Sequence, residues 1–147
     1  MKRSAAEILR EYGPFPGVDH VRGVTFDGQH VWFASGDKLN ALDPASGETV
    51  RSIDVAAHAG TAFDGQHLFQ LADDRIRKID PNTGRVLSTI PAPAGGGSGL
   101  AWAEGTLWVG QYRDRSPSNN TESLHKLAWI SGNNQQRTVM GFKRRLS

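Results

Sequence analysis

The chain contains no cysteine, which excludes disulfide frameworks, thiolate metal sites and a cysteine nucleophile together. No apolar run approaches the ~18 residues of a membrane-spanning helix, so no membrane partner is expected. These first residues are not expected to be a secretory leader: in Met1-Lys2-Arg3-Ser4-Ala5-Ala6-Glu7-Ile8-Leu9-Arg10 the charges at Glu7 and Arg10 fall where an unbroken apolar stretch is required. The expectation is a soluble, cytoplasmic protein. Nor is there a strong charge of one sign. Seventeen Lys and Arg against 15 Asp and Glu leave +2, too weak a field to imply nucleic acid. At 147 residues the chain is long enough for one domain with its own core.

What the chain does have is self-similarity, and repeats decide a fold before any other signal. Residues 23–55 and 60–92 align without a gap at an offset of 37. Phe26-Asp27-Gly28-Gln29-His30 recurs as Phe63-Asp64-Gly65-Gln66-His67, and Asp43-Pro44 with Gly47 recurs as Asp80-Pro81 with Gly84. A third copy opens at Gly99, with Trp102 and Trp108 in the places of Phe63 and Phe69, and stops matching at about Arg115.

The punctuation within each copy marks four short strands. Asp27-Gly28 sits between apolar runs, where a tight hairpin needs the positive φ that Gly supplies. Gly36-Asp37 makes a second turn and Asp43-Pro44-Ala45-Ser46-Gly47 a third, with Pro presetting φ and Asp bonding the backbone ahead of it. Strands are therefore predicted near 21–26, 30–35, 38–43 and 48–54, and again 37 residues later. Val31-Trp32-Phe33-Ala34 is apolar on both faces, as in a sheet covered on both sides.

These features predict an all-β fold, a partial β-propeller of four-stranded antiparallel blades with a repeat of about 37 residues. Residues 1–20 read as an N-terminal segment whose short helix opens at Ser4-Ala5-Ala6-Glu7. Blade 1 covers 21–55, blade 2 covers 56–92, and 93–115 form the first half of blade 3. Residues 116–147 are a non-repeat polar, basic tail, with a short helix capped by Thr121 over Leu124, Leu127 and Ala128 and a solvated Lys143-Arg144-Arg145 end. Two and a half blades cannot close a ring of the usual ~4–8. Truncation or a change of reading frame near Arg115 is the favoured account. Self-association through open blade edges and an open stack capped by the tail are the alternatives.

The pattern Gly-Val-Thr-Phe-Asp-Gly-Gln-His-Val-Trp-Phe-Ala (23–34) followed by Leu-Asn-Ala-Leu-Asp-Pro-Ala-Ser-Gly (39–47) resembles the blades of streptogramin lyase and YVTN-type propellers. Residues 98–109 are similar to the matching blade of plant-type glutamine cyclotransferases, five-bladed propellers that form N-terminal pyroglutamate. The resemblance spans roughly residues 18–115. The quinoprotein repeat is a weaker match: Val50-Arg51 and Leu87-Ser88 stand where that family carries Trp, so no quinone cofactor is expected. Nor is any other cofactor, apart from a divalent cation if the chain is lyase-like.

The resemblance implies ligand binding at one channel mouth, where the innermost strand of each blade begins. His20 and His58 are the catalytic candidates there, and Arg22 and Ser98 the ligand-binding candidates, because with Ala59 they hold the place where lyase blades carry His before Gly. Cyclotransfer needs a carboxylate to move protons from amine to leaving ammonia. Glu104 is the carboxylate nearest a family motif, although in a hairpin turn. His30 and His67 recur at one hairpin position and read as turn architecture. Asp73 and Asp74 flank a turn, lack converging oxygen ligands, and leave no metal site to name. The reading is a binding or interaction module of the lyase/YVTN type without demonstrable activity, taking a small molecule or peptide at the mouth. The alternatives are a glutamine cyclotransferase-like aminoacyltransferase and a metal-dependent lyase.

Overall fold

The structure, a computed structural model, describes residues 5–92, 97–113, 124–131 and 136–137. Three four-stranded antiparallel sheets follow one another along the chain. The first is β1 (Val24–Phe26), β2 (Val31–Ser35), β3 (Lys38–Leu42) and β4 (Thr49–Asp54) in that spatial order. The second repeats it as β5 (Thr61–Phe63), β6 (Leu68–Ala72), β7 (Arg75–Ile79) and β8 (Val86–Pro91). The third comprises β9 (Gly97–Ala103), β10 (Thr106–Arg113), β11 (Leu124–Ser131) and β12 (Gln136–Arg137). The first strand of each sheet is the inner one, and β5 lies against both β1 and β9.

The recurring turns are built as their residues dictate. Asp27 Oδ1 accepts the amides of Gln29 at 2.8 Å and His30 at 2.6 Å, and Asp64 does the same for Gln66 and His67 at 2.8 and 2.6 Å. In the Asp-Pro turn Asp43 Oδ1 accepts the Ala45 amide at 2.9 Å, and Gly47, at φ 77°, closes the loop by donating to the Asp43 carbonyl at 2.8 Å. That turn leaves a bulge in β3–β4 between Ala41 and Leu42, and its copy leaves one in β7–β8 between Lys78 and Ile79.

Each blade has a leading face, toward the next blade, and a trailing face, toward the one before. Trp32, Ala34, Leu39, Ala41 and Ile53 on the leading face of blade 1 form one core with Leu68, Ile79 and Phe63 on the trailing face of blade 2. Ala62, Phe69, Leu71 and Ile76 meet Leu107, Val109, Leu100 and Trp102 of blade 3 in the same way. Phe69 stacks on Trp102 with centroids 5.9 Å apart. Burial from both sides explains why β2 and β6 carry apolar runs rather than alternation.

Two sequence expectations need correction. Among the described residues there is no helix, and residues 5–20 run instead as an irregular strap over blade 1. Gly13-Pro14 limits any helix opened at Ser4 to about two turns, its apolar residues Ile8 and Leu9 are exposed, and the rings of Tyr12 and Phe15 instead contact blade 1. Phe15 stacks on Phe33 at 4.8 Å, the Tyr12 hydroxyl donates to the Pro44 carbonyl at 2.6 Å, and Arg10 donates to the Pro44 and Ala45 carbonyls. The second correction concerns the tail, which continues the third sheet beyond the half-blade predicted for 93–115. Strand β11 pairs with β10 from Arg113↔Leu124 to Thr106↔Ser131, and β12 adds to its far side. Periodicity favoured a helix at 124–128, but the bare edge of β10 offers a full row of unpaired backbone groups that a strand satisfies. Ser4, the 93–96 connection, the segment 114–123 with Thr121, and Lys143-Arg144-Arg145 lie outside the described residues.

The inner strands meet backbone to backbone at the glycine that opens each repeat. A Cβ on Gly60 would lie 2.4 Å from the Leu100 amide nitrogen and 2.7 Å from Gly99, and one on Gly23 would lie 2.6 Å from the Ala59 carbonyl oxygen. We therefore expect Gly60→Ala to lower the unfolding free energy by about 1–3 kcal/mol, read from the urea midpoint at unchanged slope; a variant as stable as the parent would contradict this packing.

Candidate functional site

Antiparallel alternation places the start of each inner strand on the same rim as the turn between the second and third strands. Backbone bonds fasten the two together. Val55 and Ala57, in the connection to blade 2, donate to the Asp37 and Gly36 carbonyls at 3.0 and 2.7 Å, and Ala92 repeats the first bond on Asp74 at 2.8 Å. Arg22 donates its amide to the Ala34 carbonyl at 2.9 Å. The rim is therefore bordered by hydrogen-bonded backbone, from which side chains project.

On this rim of blade 1 lies a cleft of about 530 Å³ lined by Asp19, His20, Arg22, Asp37, Lys38 and His58, with Ser35, Gly17 and Gly36 between them. His58 spans the junction of two blades: its Nε2 lies 3.7 Å from Asp37 Oδ1 of blade 1 and its Nδ1 3.4 Å from Asp73 Oδ1 of blade 2. Lys38 pairs with Asp54 at 3.3 Å. Side chains that accept and donate protons thus alternate around one opening, suited to holding a polar ligand. Among the described residues no group of three His, Asp or Glu side chains is arranged to hold a metal ion.

The structure sorts the sequence candidates. His20, Arg22 and His58 come together at this cleft. Ser98 stands at the start of the third inner strand, where its hydroxyl donates to the Gly110 carbonyl at 3.3 Å and its carbonyl accepts the Gly60 amide at 3.0 Å. Glu104 is exposed in the β9–β10 turn at φ 54°, on the opposite rim. Sequence reading passed over Asp37 and Lys38, whose turn looked like punctuation. The usable signal was strand alternation, which puts that turn beside His20 and Arg22. It also read Asp73 only as flanking a turn, whereas its Oδ1 lies 3.4 Å from His58 Nδ1.

The opposite rim carries a second cleft, of about 580 Å³, between the Asp27 turn of blade 1 and the Gly65-Gln66 and Pro81-Asn82 turns of blade 2. Its floor is structural. Asp27 Oδ2 accepts the Trp32 indole Nε1–H at 2.7 Å, and His30 lies against the same carboxylate at 3.7 Å. Burial pushes the Asp27 carboxyl up, but the His30 amide, the Trp32 indole and the Gln29 amide together outweigh it and hold the group below the ordinary 3.8.

No family model matches the chain, and no curated protein matches it in sequence. Solved structures do. Myxococcus xanthus glutaminyl cyclase superposes at TM-score 0.67 with 21% identity, over 93% of this chain and 56% of that one. BamB from Moraxella catarrhalis gives 0.56 with 12% identity over 83% of this chain and 34% of that one, and the RRP9 WD40 repeats give 0.60 with 16% over 84% and 38%. The fold is that of a β-propeller. At these identities the likeness concerns the fold alone, and the chain spans between about a third and just over half of each propeller.

Two expectations follow for this propeller. Because the Asp27 carboxylate is favoured in the folded state, its contribution is complete above pH 3.8 and disappears as pH falls through the lower folded value. Asp27→Asn should therefore flatten the acid limb of a stability profile followed by tryptophan fluorescence, and an unchanged limb would refute the assignment. His58→Ala removes pairs that are exposed at both ends and should cost under about 1 kcal/mol in thermal unfolding; a larger loss would make His58 a structural clamp rather than a site residue.

Proposed function

We propose that the chain acts as a propeller-type binding module that takes a small polar molecule or peptide at the rim where its inner strands begin. One observation carries the reading: His20, Arg22 and His58, separated by up to 38 positions in sequence, line a single cleft with Asp19, Asp37 and Lys38. Arg22 offers a planar fork for a carboxylate, while the histidines and aspartates offer both donors and acceptors. A concave opening with a few convergent polar groups is the usual form of a ligand site. An isotope-labelled sample titrated with a mixed small-molecule and peptide library should show amide shifts concentrated at 19–22, 36–38 and 58. Shifts concentrated instead at 27–32 and 63–66 would move the site to the other rim and refute the proposal.

The likeness to the Myxococcus xanthus glutaminyl cyclase over most of this chain favours a second reading, cyclisation of N-terminal glutamine with loss of ammonia. The proton carrier would then be a carboxylate of the mouth, Asp19 or Asp37, because Glu104 stands on the opposite rim. A peptide beginning with Gln distinguishes the two. Ammonia release above a heat-killed control, lost in Asp37→Asn, supports the enzyme; mouth shifts without ammonia support the binding module. The lyase-like alternative requires a divalent cation, and we expect neither Mg²⁺ nor EDTA to move the melting temperature; a Mg²⁺-dependent rise reversed by EDTA would revive it.

A further inference from the structure

Two polar positions that find partners in blade 1 are left without them in blade 2. In blade 1 Lys38 and Asn40 stand two residues apart on β3, on the face where Phe33 meets the strap. Lys38 Nζ pairs with Asp54 Oδ1 of β4 at 3.3 Å, and Asn40 Oδ1 accepts the Ser52 hydroxyl at 2.8 Å. At the 37-residue offset these positions become Arg75 and Arg77, and their cross-strand neighbours on β8 are Pro91 and Thr89. Blade 2 thus gains a guanidinium where blade 1 has an amide, and carries proline where blade 1 has the balancing carboxylate.

Both arginines lie on the trailing face of blade 2. They alternate with Ile76 and share a side with Leu68 and Ile79, which belong to the core formed with blade 1. Two positions apart on a strand, their Cα atoms are separated by about 6.6 Å, so both guanidinium groups can reach one small anion. Among the described residues neither side chain pairs with an acid or donates a hydrogen bond, and Nη1 of the half-buried Arg77 is enclosed without an acceptor. The facing strands of blade 1 supply none: they present Leu39, Ala41 and Ile53, with Arg51, itself a cation, donating to the Asn82 carbonyl. Asp73 lies against His58 instead. Enclosed donors are nearly always paired, so the missing acceptor must come from outside the chain. The exposed positions of Arg75 and Thr89 leave the approach to Arg77 open.

We propose that the outer part of the gap between blades 1 and 2 is an anion site, in which Arg75, Arg77 and the Thr89 hydroxyl hold a phosphate group. Arginine forks bind planar and tetrahedral oxyanions through paired N–H donors. Two forks and a hydroxyl exceed what the two oxygens of a carboxylate can accept, whereas the several oxygens and double charge of a phosphate match them. The site uses none of the residues that line the mouth cleft, so it stands or falls independently of the ligand proposed there.

Inorganic phosphate titrated into the isotope-labelled full chain, with ionic strength held constant by sodium chloride, tests it. Saturable shifts are expected at the amides of 75–77 and 89 and at the Nε–H signals of both arginines. Arg77→Asn gives blade 2 the residue that blade 1 carries at this place, so it should keep the parent's circular dichroism while weakening phosphate binding at least about tenfold. Arg75→Gln, at an exposed position, should do the same, and Arg85→Gln, elsewhere in blade 2, should bind as the parent does. A second arm uses phenyl phosphate. Tighter binding there assigns the site to a phosphate monoester and equal or weaker binding to the free ion, and either supports it. Shifts that follow ionic strength alone, that never saturate, or that persist undiminished in both Arg77→Asn and Arg75→Gln would overturn the site, as would acetate binding as tightly as phosphate. Phosphate shifts at 19–22 and 36–38 in place of 75–77 would also sink it, while leaving the mouth proposal standing.

Discussion

The structure depends on the close approach of neighbouring inner strands. Where Gly23 faces Ala59 and Thr61, and Gly60 faces Gly99 and Leu100, there is no room for a side chain. That contact brings the sheets together at their inner edges. With the inner edges in contact, the leading face of one blade and the trailing face of the next are close enough to share a core. Trp32 with Phe63, and Phe69 with Trp102, then fill the wedge between them. Larger residues at the glycines would hold the sheets apart and leave those aromatic groups half wet.

Blade packing also explains the buried polar residues. Gln70 occupies in blade 2 the position that Phe33 holds in blade 1, and it is fully enclosed. Its amide donates to the Ala59 and Leu71 carbonyls at 3.1 and 3.0 Å, and its carbonyl accepts the Thr61 hydroxyl. In blade 1 the same place is apolar because the strap, not another blade, covers it, and Phe15 supplies the stacking partner. One repeat position thus takes opposite chemistry according to what lies over it, which the repeat alone could not have signalled.

The rims divide the work. One is held by carboxylates turned inward on their own backbone, Asp27 and Asp64 capping hairpins and Asp43 and Asp80 ordering the Asp-Pro turns. Those acids are consumed by structure. The other rim is fastened by backbone bonds from Val55, Ala57 and Ala92, and its charged side chains line a cleft. That difference, more than any motif, is the reason to place ligand chemistry at His20, Arg22 and His58. Glu104 drew notice for its neighbourhood in sequence, yet it lies on the rim whose side chains serve the turns.

Strand positions, turn types and the blade repeat were legible in the sequence, because each rests on local chemistry: positive φ at glycine, Asp side chains bonding nearby amides, and apolar runs of strand length. The other strands of the first two blades appear within a residue or two of their predicted limits, while β1 and β5 begin three residues later than predicted. The ends were misread because their conformation is set by what they touch. Residues 5–20 lie along blade 1 because Phe33 needed cover, and 124–131 form a strand because β10 had an edge to pair. The mouth cleft was half legible, since His20, Arg22 and His58 could be named but not assembled. Only the tertiary structure decided that Asp37 and Lys38 join them and that Ser98 and Glu104 do not. A repeat determines the shape of each blade, but which side chains share an opening is fixed by how one blade seats on the next.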